Sequence, residues 1–520
     1  MSAGDAGAPP PSRPAAGTVE LASFLAAYLR GSGPKFVVVT GAVGAGKSTL
    51  LRTLLPALAG PKLYLAYQTP TPSAAPPPGT GGEAPMVSML LADPQFSSVG
   101  PDPSSRSVPG APLAFSPQDA KEAARVSAPI EEAAGRLSAA GAGTIVVDSW
   151  DRGSEAFFRA QAPLPGAVRT FSAPASDIAG MQAGIVSSQV HLILAVTPEL
   201  GAPLLTLADA VVELRAEERA RGRLRVHEVT KTRGASAPPA RSLYTLEGER
   251  FRSLPPLPSG FRPTVSLPDP DPAGSAESIW PGLASIESVL GRLRYGAMTG
   301  ISVGGDASDA IPIALTAPAA VHVLRIGGRV AWIPAPSVRP SKLIAQIGGA
   351  LPVDWLRERL RILSASGDDP GLGELRRIVV PLSRESADAR EARPATPPGV
   401  TSLFPEVYRF LRDHPAPGPA LYVASLEGLR AAAQAAGVTI TDSTLPAVAG
   451  FYMRLPRFHL LAYGSAEDPA ARLLMPVAET LVHLEMAYGR PVIFGDRPNR
   501  PASILDWSGT DGRLNAVPVG

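Results

Sequence analysis

A glycine-rich segment near the amino end has the residue types and spacing that bind phosphate. Residues 41–48 read Gly-Ala-Val-Gly-Ala-Gly-Lys-Ser, the pattern G-x-x-x-x-G-K-S. Glycines let backbone amides turn toward phosphate oxygens, and a following helix adds positive potential at its start. The pattern predicts that Lys47 contacts the outer phosphates of a nucleotide and that the Ser48 hydroxyl binds Mg²⁺. The predicted nucleotide-binding residues are Gly41, Ala42, Val43, Gly44, Ala45, Gly46, Lys47, Ser48 and Thr49.

The alternative for this segment is a glycine-rich turn followed by a chance Lys-Ser pair. Lysine occurs at only six positions in the chain, which makes that coincidence rare. The short apolar run at 36–39 and the leucine-rich stretch after Ser48 also predict the strand and helix that such a loop joins. Phosphate binding is therefore the favoured interpretation.

An acidic residue is expected to complete the metal site. The run Thr-Ile-Val-Val-Asp-Ser at 144–149 predicts a buried strand that ends at Asp148. In phosphate-loop proteins an aspartate at the end of a neighbouring strand holds the water shell of Mg²⁺. Such an aspartate is by itself often only a turn residue, but beside the loop it predicts a metal ligand together with Ser48. Lys47 and Asp148 are thus predicted catalytic residues.

The group that activates water differs from the carboxylate that is usual beside such a loop. After the second predicted strand, where many phosphate-loop enzymes carry glutamate, the chain has Gln68 followed by Thr69. Glutamine orients water but does not accept its proton as a carboxylate does. Gln68 is therefore the third predicted catalytic residue, and turnover is expected to be slow. Asp151 and Glu199 are the other acids that the predicted topology places near the loop. The alternative for each is a purely structural role.

Two cations follow the fifth predicted strand. The alternating run at 223–230 and the run Ser-Leu-Tyr-Thr-Leu at 242–246 predict an antiparallel hairpin at the edge of the sheet. Lys231 and Arg233 are two residues apart on a strand and so share a face. They are either solvated charges that discourage edge-to-edge association or sensors of a nucleotide phosphate across a subunit boundary.

Short apolar runs alternate with helical stretches through the first half of the chain. The runs at 35–40, 62–67, 144–149, 190–197 and 209–215 are apolar on both faces, as expected for parallel strands covered by helices. This alternation predicts an α/β fold with a parallel sheet.

Proline, at 58 residues of 520, divides the chain. Its clusters predict a disordered arm at 1–17, a first domain at 18–252 with a Pro-rich excursion at 70–117, a linker at 253–278 and a second domain at 279–520. We expect one short helix within the excursion, near Met86–Ala92. Proline breaks helices and lacks an amide donor, so the rest of the excursion is expected to lie outside the core.

Composition excludes several classes of function. The 48 Lys and Arg residues against 46 Asp and Glu give a net charge of +2, which argues against a broad electrostatic surface for nucleic acid. The absence of cysteine excludes disulfides, thiol catalysis and Cys-ligated metals. No apolar run reaches about 18 residues, and the first residues lack the apolar core of a secretory signal. A cytoplasmic protein without membrane contact is therefore expected.

These segments resemble the RecA/KaiC-like branch of phosphate-loop ATPases. The resemblance covers GAVGAGKS, TIVVDSW, LILAVTPE, LADAVVELR and VTKTRG, in the order that this branch uses. It implies that Lys231 and Arg233 act on the γ-phosphate of a neighbouring subunit, within a ring or filament. The circadian-clock members carry paired glutamates where this chain has Gln68 and Thr69. The chain is more similar to the archaeal gas-vesicle regulatory protein D (GvpD-like) group, in its overall length, its single functional loop near the amino end and its degenerate second half.

The second half is interpreted as a decayed repeat of the first. Gly300 and Gly305 are expected to correspond to Gly41 and Gly46, and Ala424 to Asp148. Residues 478–485 echo 208–215. Asp306 and Ala307 then replace the lysine and serine, so this copy is expected to bind no nucleotide. The prediction is two tandem RecA-like domains, the second degenerate; the alternative is two unrelated α/β domains.

Three functions are compatible with this pattern. The favoured one is an ATP-binding regulatory protein with slow or conditional Mg²⁺-dependent hydrolysis, whose nucleotide state controls self-association or a protein partner. In GvpD-like proteins the resemblance suggests a transcriptional activator as that partner. A recombinase-like ATPase acting on DNA and a scaffold that holds ATP without hydrolysis are the alternatives.

Overall fold

The computed structural model describes most of the two sheet-forming regions of the chain. The described residues are 20–66, 87–91, 113–114, 137, 143–150, 189–236, 241–274, 277–348, 351–364, 369–381, 405–412, 418–435, 444–507 and 512–519. Among them, no helix is long and apolar enough to span a membrane. The predicted arm at 1–17 and most of the Pro-rich excursion lie outside the described residues. The chain divides into two compact units, one of residues 1–218 and 224–258, the other of residues 219–223 and 259–520.

The first unit is built on a ten-stranded mixed sheet. Its strands are β1 (Phe36–Gly41), β2 (Lys62–Ala66), β3 (Val87–Leu91), β4 (Leu113–Ala114), β5 (Gly143–Asp148), β6 (Val190–Val196), β7 (Ala210–Arg219), β8 (Gly222–Thr232), β9 (Arg241–Thr245) and β10 (Arg252–Leu254). The order across the sheet is β10-β9-β8-β7-β1-β6-β5-β2-β3-β4. The strands from β7 to β4 are parallel, whereas β8, β9 and β10 form antiparallel pairs.

Helices cover both faces of this sheet, which places β1 in the interior. The helices are α1 (Leu21–Leu29), α2 (Lys47–Leu54) and α3 (Pro198–Leu207). Every residue of β1 is buried. Because side chains alternate along a strand, Val37 and Val39 pack with α1 and α2, while Phe36 and Val38 pack in the opposite core with α3. The sequence-based expectation of an α/β fold with buried parallel strands is confirmed.

One predicted element has the wrong type. Residues 87–91 form strand β3, paired in parallel with β2, where the sequence suggested a short helix near Met86–Ala92. The run Val-Ser-Met-Leu-Leu is short and largely apolar, and such runs fit a strand and a buried helical turn equally well. The hydrogen bonds available from the edge of β2 decide in favour of the strand.

The second unit has a sheet with the same layout. Its strands are β11 (Ser278–Ile279) and β12 (Leu293–Arg294), which pair with each other, then β13 (Ala297–Val303), β14 (Arg329–Ile333), β15 (Leu360–Ser364), β16 (Val379–Pro381), β17 (Ala420–Ser425), β18 (Phe458–Ser465), β19 (Thr480–Ala487), β20 (Arg490–Arg497), β21 (Arg500–Asp506) and β22 (Asn515–Pro518). The large sheet has the order β16-β15-β14-β17-β18-β13-β19-β20-β21-β22. Counted from its own first long strand, this is the order of the first sheet.

Helices of the second unit also lie between its strands. They are α4 (Ala284–Leu290), α5 (Ala310–Arg325), α6 (Pro340–Gly348), α7 (Val353–Arg359), α8 (Pro405–Arg412), α9 (Leu426–Ala435), α10 (Thr444–Tyr452) and α11 (Pro469–Leu474). One core combines the inward side chains of β14, β17 and β18 with helices α8 to α11. The central strand β13 is buried along its whole length, as β1 is in the first unit.

Candidate functional site

The glycine-rich loop leaves the carboxyl end of β1 and enters α2. Gly44 and Gly46 have φ values of 78° and 88°, in the left-handed region that glycine adopts without strain. Gly41 is required for a different reason, because a Cβ atom there would lie 2.6 Å from the carbonyl oxygen of Leu214 on β7. The loop therefore has its tight shape because of where its glycines stand.

Lys47 lies at the start of α2 and folds back over the loop. Its Nζ atom donates hydrogen bonds to the carbonyl oxygens of Gly41, at 2.5 Å, and Ala42, at 3.2 Å. The side chain is buried, whereas Ala42, Val43 and Gly44 are exposed to solvent. The ammonium group is thus buried against the start of the loop, while residues 42–44 of the loop are exposed.

Ser48 and Asp148 meet although 100 positions separate them. The Ser48 hydroxyl donates a 2.8 Å hydrogen bond to Oδ1 of Asp148. Asp148 is the last residue of β5, which ends at the same edge of the sheet as β1 because the strands between them run parallel. The structure therefore brings the two predicted metal-binding residues into direct contact.

A residue that sequence reasoning missed holds the other oxygen of this carboxylate. The hydroxyl of Tyr64, on β2, donates a 2.6 Å hydrogen bond to Oδ2 of Asp148. Burial and the neighbouring carboxylate raise the pKa of Tyr64 far above its ordinary value, so the phenol remains a protonated donor. Strand periodicity places Tyr64 and Ala66 on one face, but the register that pairs Ala66 with Asp148, and so brings the phenol to the carboxylate, comes only from the fold.

The predicted water-orienting residue, Gln68, lies outside the described residues, as does Asp151. Glu199 is exposed in the first turn of α3, directly after β6. Because β6 runs parallel to β1, Glu199 lies at the same end of the strands as the loop.

Lys231 and Arg233 lie at the opposite edge of the sheet. The Lys231 ammonium donates to carbonyl oxygens in the last turn of α3, at 2.9 and 3.0 Å. A nitrogen of the Arg233 guanidinium is 3.1 Å from Oδ1 of Asp209. Asp209 also accepts a hydrogen bond from the amide of Phe36, where β1 begins. Within one chain, then, these cations are separated from the loop by the length of β1.

The strand pairings of the second unit correct two of the expected correspondences. With Leu214 aligned to Leu484, its counterpart in the echo of 208–215, the registers make Val303 equivalent to Gly41. Gly300 lies inside β13, where a Cβ atom would be 2.6 Å from Sδ of Met475. That glycine serves close packing in a strand, and its spacing from Gly305 imitates the first loop by chance.

Followed through the neighbouring strands, the same registers change what stands at the acidic position. Ser425, and not Ala424, is equivalent to Asp148. Trp332 is equivalent to Tyr64, and the buried Tyr463 to Ala195. The second unit therefore has serine in place of the carboxylate, and a tryptophan in place of the phenol that holds it.

The loop of the second unit also differs at the start of its helix. It runs from Gly304 to Asp309, and α5 begins with Ala310 and Ile311. The carboxylate of Asp309 accepts a hydrogen bond from the Ser337 hydroxyl. An acidic side chain stands just before this helix, where the first unit has glycine followed by lysine.

Comparison with known proteins finds no family model that matches the chain and no curated protein that is similar to it. Across the described ranges, no group of three or more His, Cys, Asp or Glu side chains is arranged to hold a metal ion. The candidate site is therefore defined by the contact between Ser48 and Asp148 next to the glycine-rich loop.

Proposed function

We propose that this protein binds ATP with Mg²⁺ at residues 41–49 and hydrolyses it slowly or conditionally, so that its nucleotide state controls self-association or a protein partner. One observation carries the proposal: Ser48, at the start of a helix that follows a tight glycine loop, is hydrogen-bonded to a buried carboxylate from a neighbouring strand. A hydroxyl and a carboxylate in contact beside an ammonium are what a phosphate–magnesium pair requires.

The donor set fits that ligand. The amides of the first turn of a helix make no hydrogen bond within the helix and point along its axis, which favours an anion at the start of α2. Lys47 supplies a cation, and it now occupies two carbonyl oxygens that a phosphate would replace. Ser48 and Asp148 offer hard oxygen ligands, the kind that Mg²⁺ prefers, which it supplements with water and phosphate oxygens. When bound, the metal would neutralise charge on the outer phosphates.

Each residue of the chain then has a role. Lys47 binds the outer phosphates, Ser48 and Asp148 hold the metal, and Tyr64 fixes the direction of the Asp148 carboxylate. Gln68, which follows β2, would orient water without accepting its proton. This substitution is the reason that slow turnover is proposed.

We also propose that the two units are tandem RecA-like domains of the KaiC-like and GvpD-like kind, a proposal that their shared strand order supports, and that the protein is cytoplasmic. The second unit would bind no nucleotide, since Ser425 replaces the carboxylate and the helix after its loop begins with Asp309 and Ala310 in place of glycine and lysine, and it would serve assembly or partner recognition. Lys231 and Arg233 would act on the nucleotide of a neighbouring chain in such an assembly.

Nucleotide binding and phosphate release, measured for the full chain and for Lys47→Ala and Gln68→Glu, test the proposal. We expect the wild type to bind ATP·Mg²⁺ with slow release, Lys47→Ala to lose binding and Gln68→Glu to turn over faster. Unchanged binding by Lys47→Ala would refute the site. Tight binding with no release by either the wild type or Gln68→Glu would favour the scaffold, and DNA binding with a steep salt dependence would favour the motor.

A further inference from the structure

Three residues of the antiparallel edge contact three successive residues of the phosphate loop. The buried Tyr244 hydroxyl, on β9, donates a 2.6 Å hydrogen bond to the carbonyl oxygen of Ala45. The side chain of Arg225, on β8, donates at 2.9 Å to the carbonyl oxygen of Gly44. The side chain of Leu246 packs against Gly46 so closely that a Cβ atom there would lie 2.8 Å from it. The phosphate loop is thus held by residues that are not part of the phosphate-binding motif.

These contacts determine where the loop amides point. In a trans peptide unit the carbonyl and the following N–H point in opposite directions. By holding the Ala45 carbonyl, Tyr244 turns the Gly46 amide away from β9 and toward the inside of the loop. Arg225 holds the preceding carbonyl, that of Gly44, and the Ala45 amide of the same peptide unit closes a turn onto the carbonyl oxygen of Ala42 at 3.1 Å, so this bond fixes the shape of the turn. Both bonds are made to loop carbonyls, and neither uses a loop amide.

We propose that Tyr244 and Arg225 are positioning residues for phosphate: Tyr244 orients the Gly46 amide and Arg225 fixes the turn before it, so that the loop has its binding shape before a ligand arrives and its affinity for polyphosphate is raised. This inference rests on the proposed function, because it concerns the same loop. It adds that the antiparallel strands β8 and β9 are part of the binding site without touching the ligand. Preorganised donors bind more tightly because less conformational freedom is lost on binding.

The test uses the full chain and two probes, ATP·Mg²⁺ and inorganic pyrophosphate, which has phosphates but no base. We expect Tyr244→Phe and Arg225→Gln each to bind both probes about threefold to tenfold more weakly, the effect of one hydrogen bond. The controls are Tyr422→Phe, which removes a buried hydroxyl of the second unit that has no hydrogen-bond partner among the described residues, and Arg241→Gln, which forms an ion pair with Glu228. Both controls should bind as the wild type does.

Amide hydrogen exchange without ligand separates positioning from general loss of stability. In Tyr244→Phe, the peptide covering 41–48 should exchange faster, while the peptide covering 143–148 on β5 should not change. Wild-type affinity in both variants, or equal losses in the controls, would overturn the inference. If Tyr244→Phe does not fold, the partly exposed Arg225→Gln decides the matter. If the wild type binds neither probe, the proposed function fails. The positioning role is still tested separately, because unchanged amide exchange of the 41–48 peptide in Tyr244→Phe would refute it.

Discussion

The phenol of Tyr64 and the carboxylate of Asp148 are joined by a 2.6 Å hydrogen bond in the interior of the first unit. Because Ser48 donates to the other oxygen of the same carboxylate, both oxygens have a fixed direction. The Ser149 hydroxyl also donates to Oδ1, at 3.3 Å. A metal bound to Oδ1 together with the Ser48 hydroxyl would leave the bond from Tyr64 to Oδ2 in place.

Tyr64→Phe should therefore weaken the metal site without changing the loop. We expect the magnesium concentration needed for half-maximal ATP binding to rise about 10-fold to 100-fold, since a hydrogen bond to a charged group contributes about 1.5–3 kcal/mol. A magnesium titration at fixed ATP measures this. The matched control is Tyr28→Phe, because Tyr28 donates to backbone carbonyls at the opposite edge of the sheet. An equal shift in both variants would contradict the role given to Tyr64.

Lys47→Ala should weaken ATP binding by about 100-fold or more, since it removes a charge-assisted contact to the outer phosphates. Lys342→Ala, at an exposed position on α6, removes the same charge from the chain and should bind as the wild type does. Calorimetric titration of both variants checks this. Similar losses in both would mean that net charge, and not the loop, drives binding.

A mixing experiment tests whether Lys231 acts on a neighbouring chain. Lys231→Ala keeps its loop and Lys47→Ala keeps its Lys231, so each chain alone should hydrolyse ATP poorly. An equimolar mixture should recover part of the wild-type rate, and the recovery should grow with protein concentration. Loss of the contacts with α3 should also lower the free energy of unfolding by about 1 kcal/mol. If the mixture is as slow as its components, Lys231 has only the structural role.

The buried imidazoles of His227 and His459 predict a loss of stability in mild acid. Burial lowers the pKa of each to about 4, below the value of about 6.5 in an unfolded chain. Between these values the unfolded chain binds more protons, so stability is complete above about pH 6.5 and falls as the pH drops toward 4. The slope should be about 1 kcal/mol per pH unit for each residue. Urea unfolding at pH 7 and pH 5 measures it, and His227→Gln should show a smaller difference.

Two glycines of one loop should respond differently to alanine. At Gly41 the added Cβ would meet the carbonyl oxygen of Leu214, which belongs to the backbone of the neighbouring strand, so we expect a loss of about 2–3 kcal/mol in unfolding free energy. At Gly44 nothing lies within 4 Å of the added atom, and only the positive φ is unfavourable, at a cost of about 1 kcal/mol. Chemical denaturation compares the two, and equal losses would contradict the close approach of β1 and β7.

The sequence was sufficient for those features that a local pattern encodes. Apolar runs predicted β1, β5 and β6, and the glycine spacing predicted the loop. It was insufficient where partners come from distant strands: Tyr64 bonds to Asp148 across 84 positions, and Tyr244 bonds to Ala45 across 199. The misplacement of Gly300 has the same origin, because a glycine needed for packing against Met475 has the same letter as one needed in a loop. Strand register, which only the fold provides, separates the two.

The bonds of Lys47 to its own loop carbonyls have a consequence for ligand selectivity. An arriving anion finds an ammonium whose hydrogen bonds are already in use, so binding is an exchange of acceptors, and affinity reflects the difference between the two sets. If the loop binds phosphate as proposed, a single phosphate would have to offset the loss of both carbonyl bonds by itself. A chain of linked phosphates would also reach the helix amides and a metal, so this competition would favour long polyphosphates.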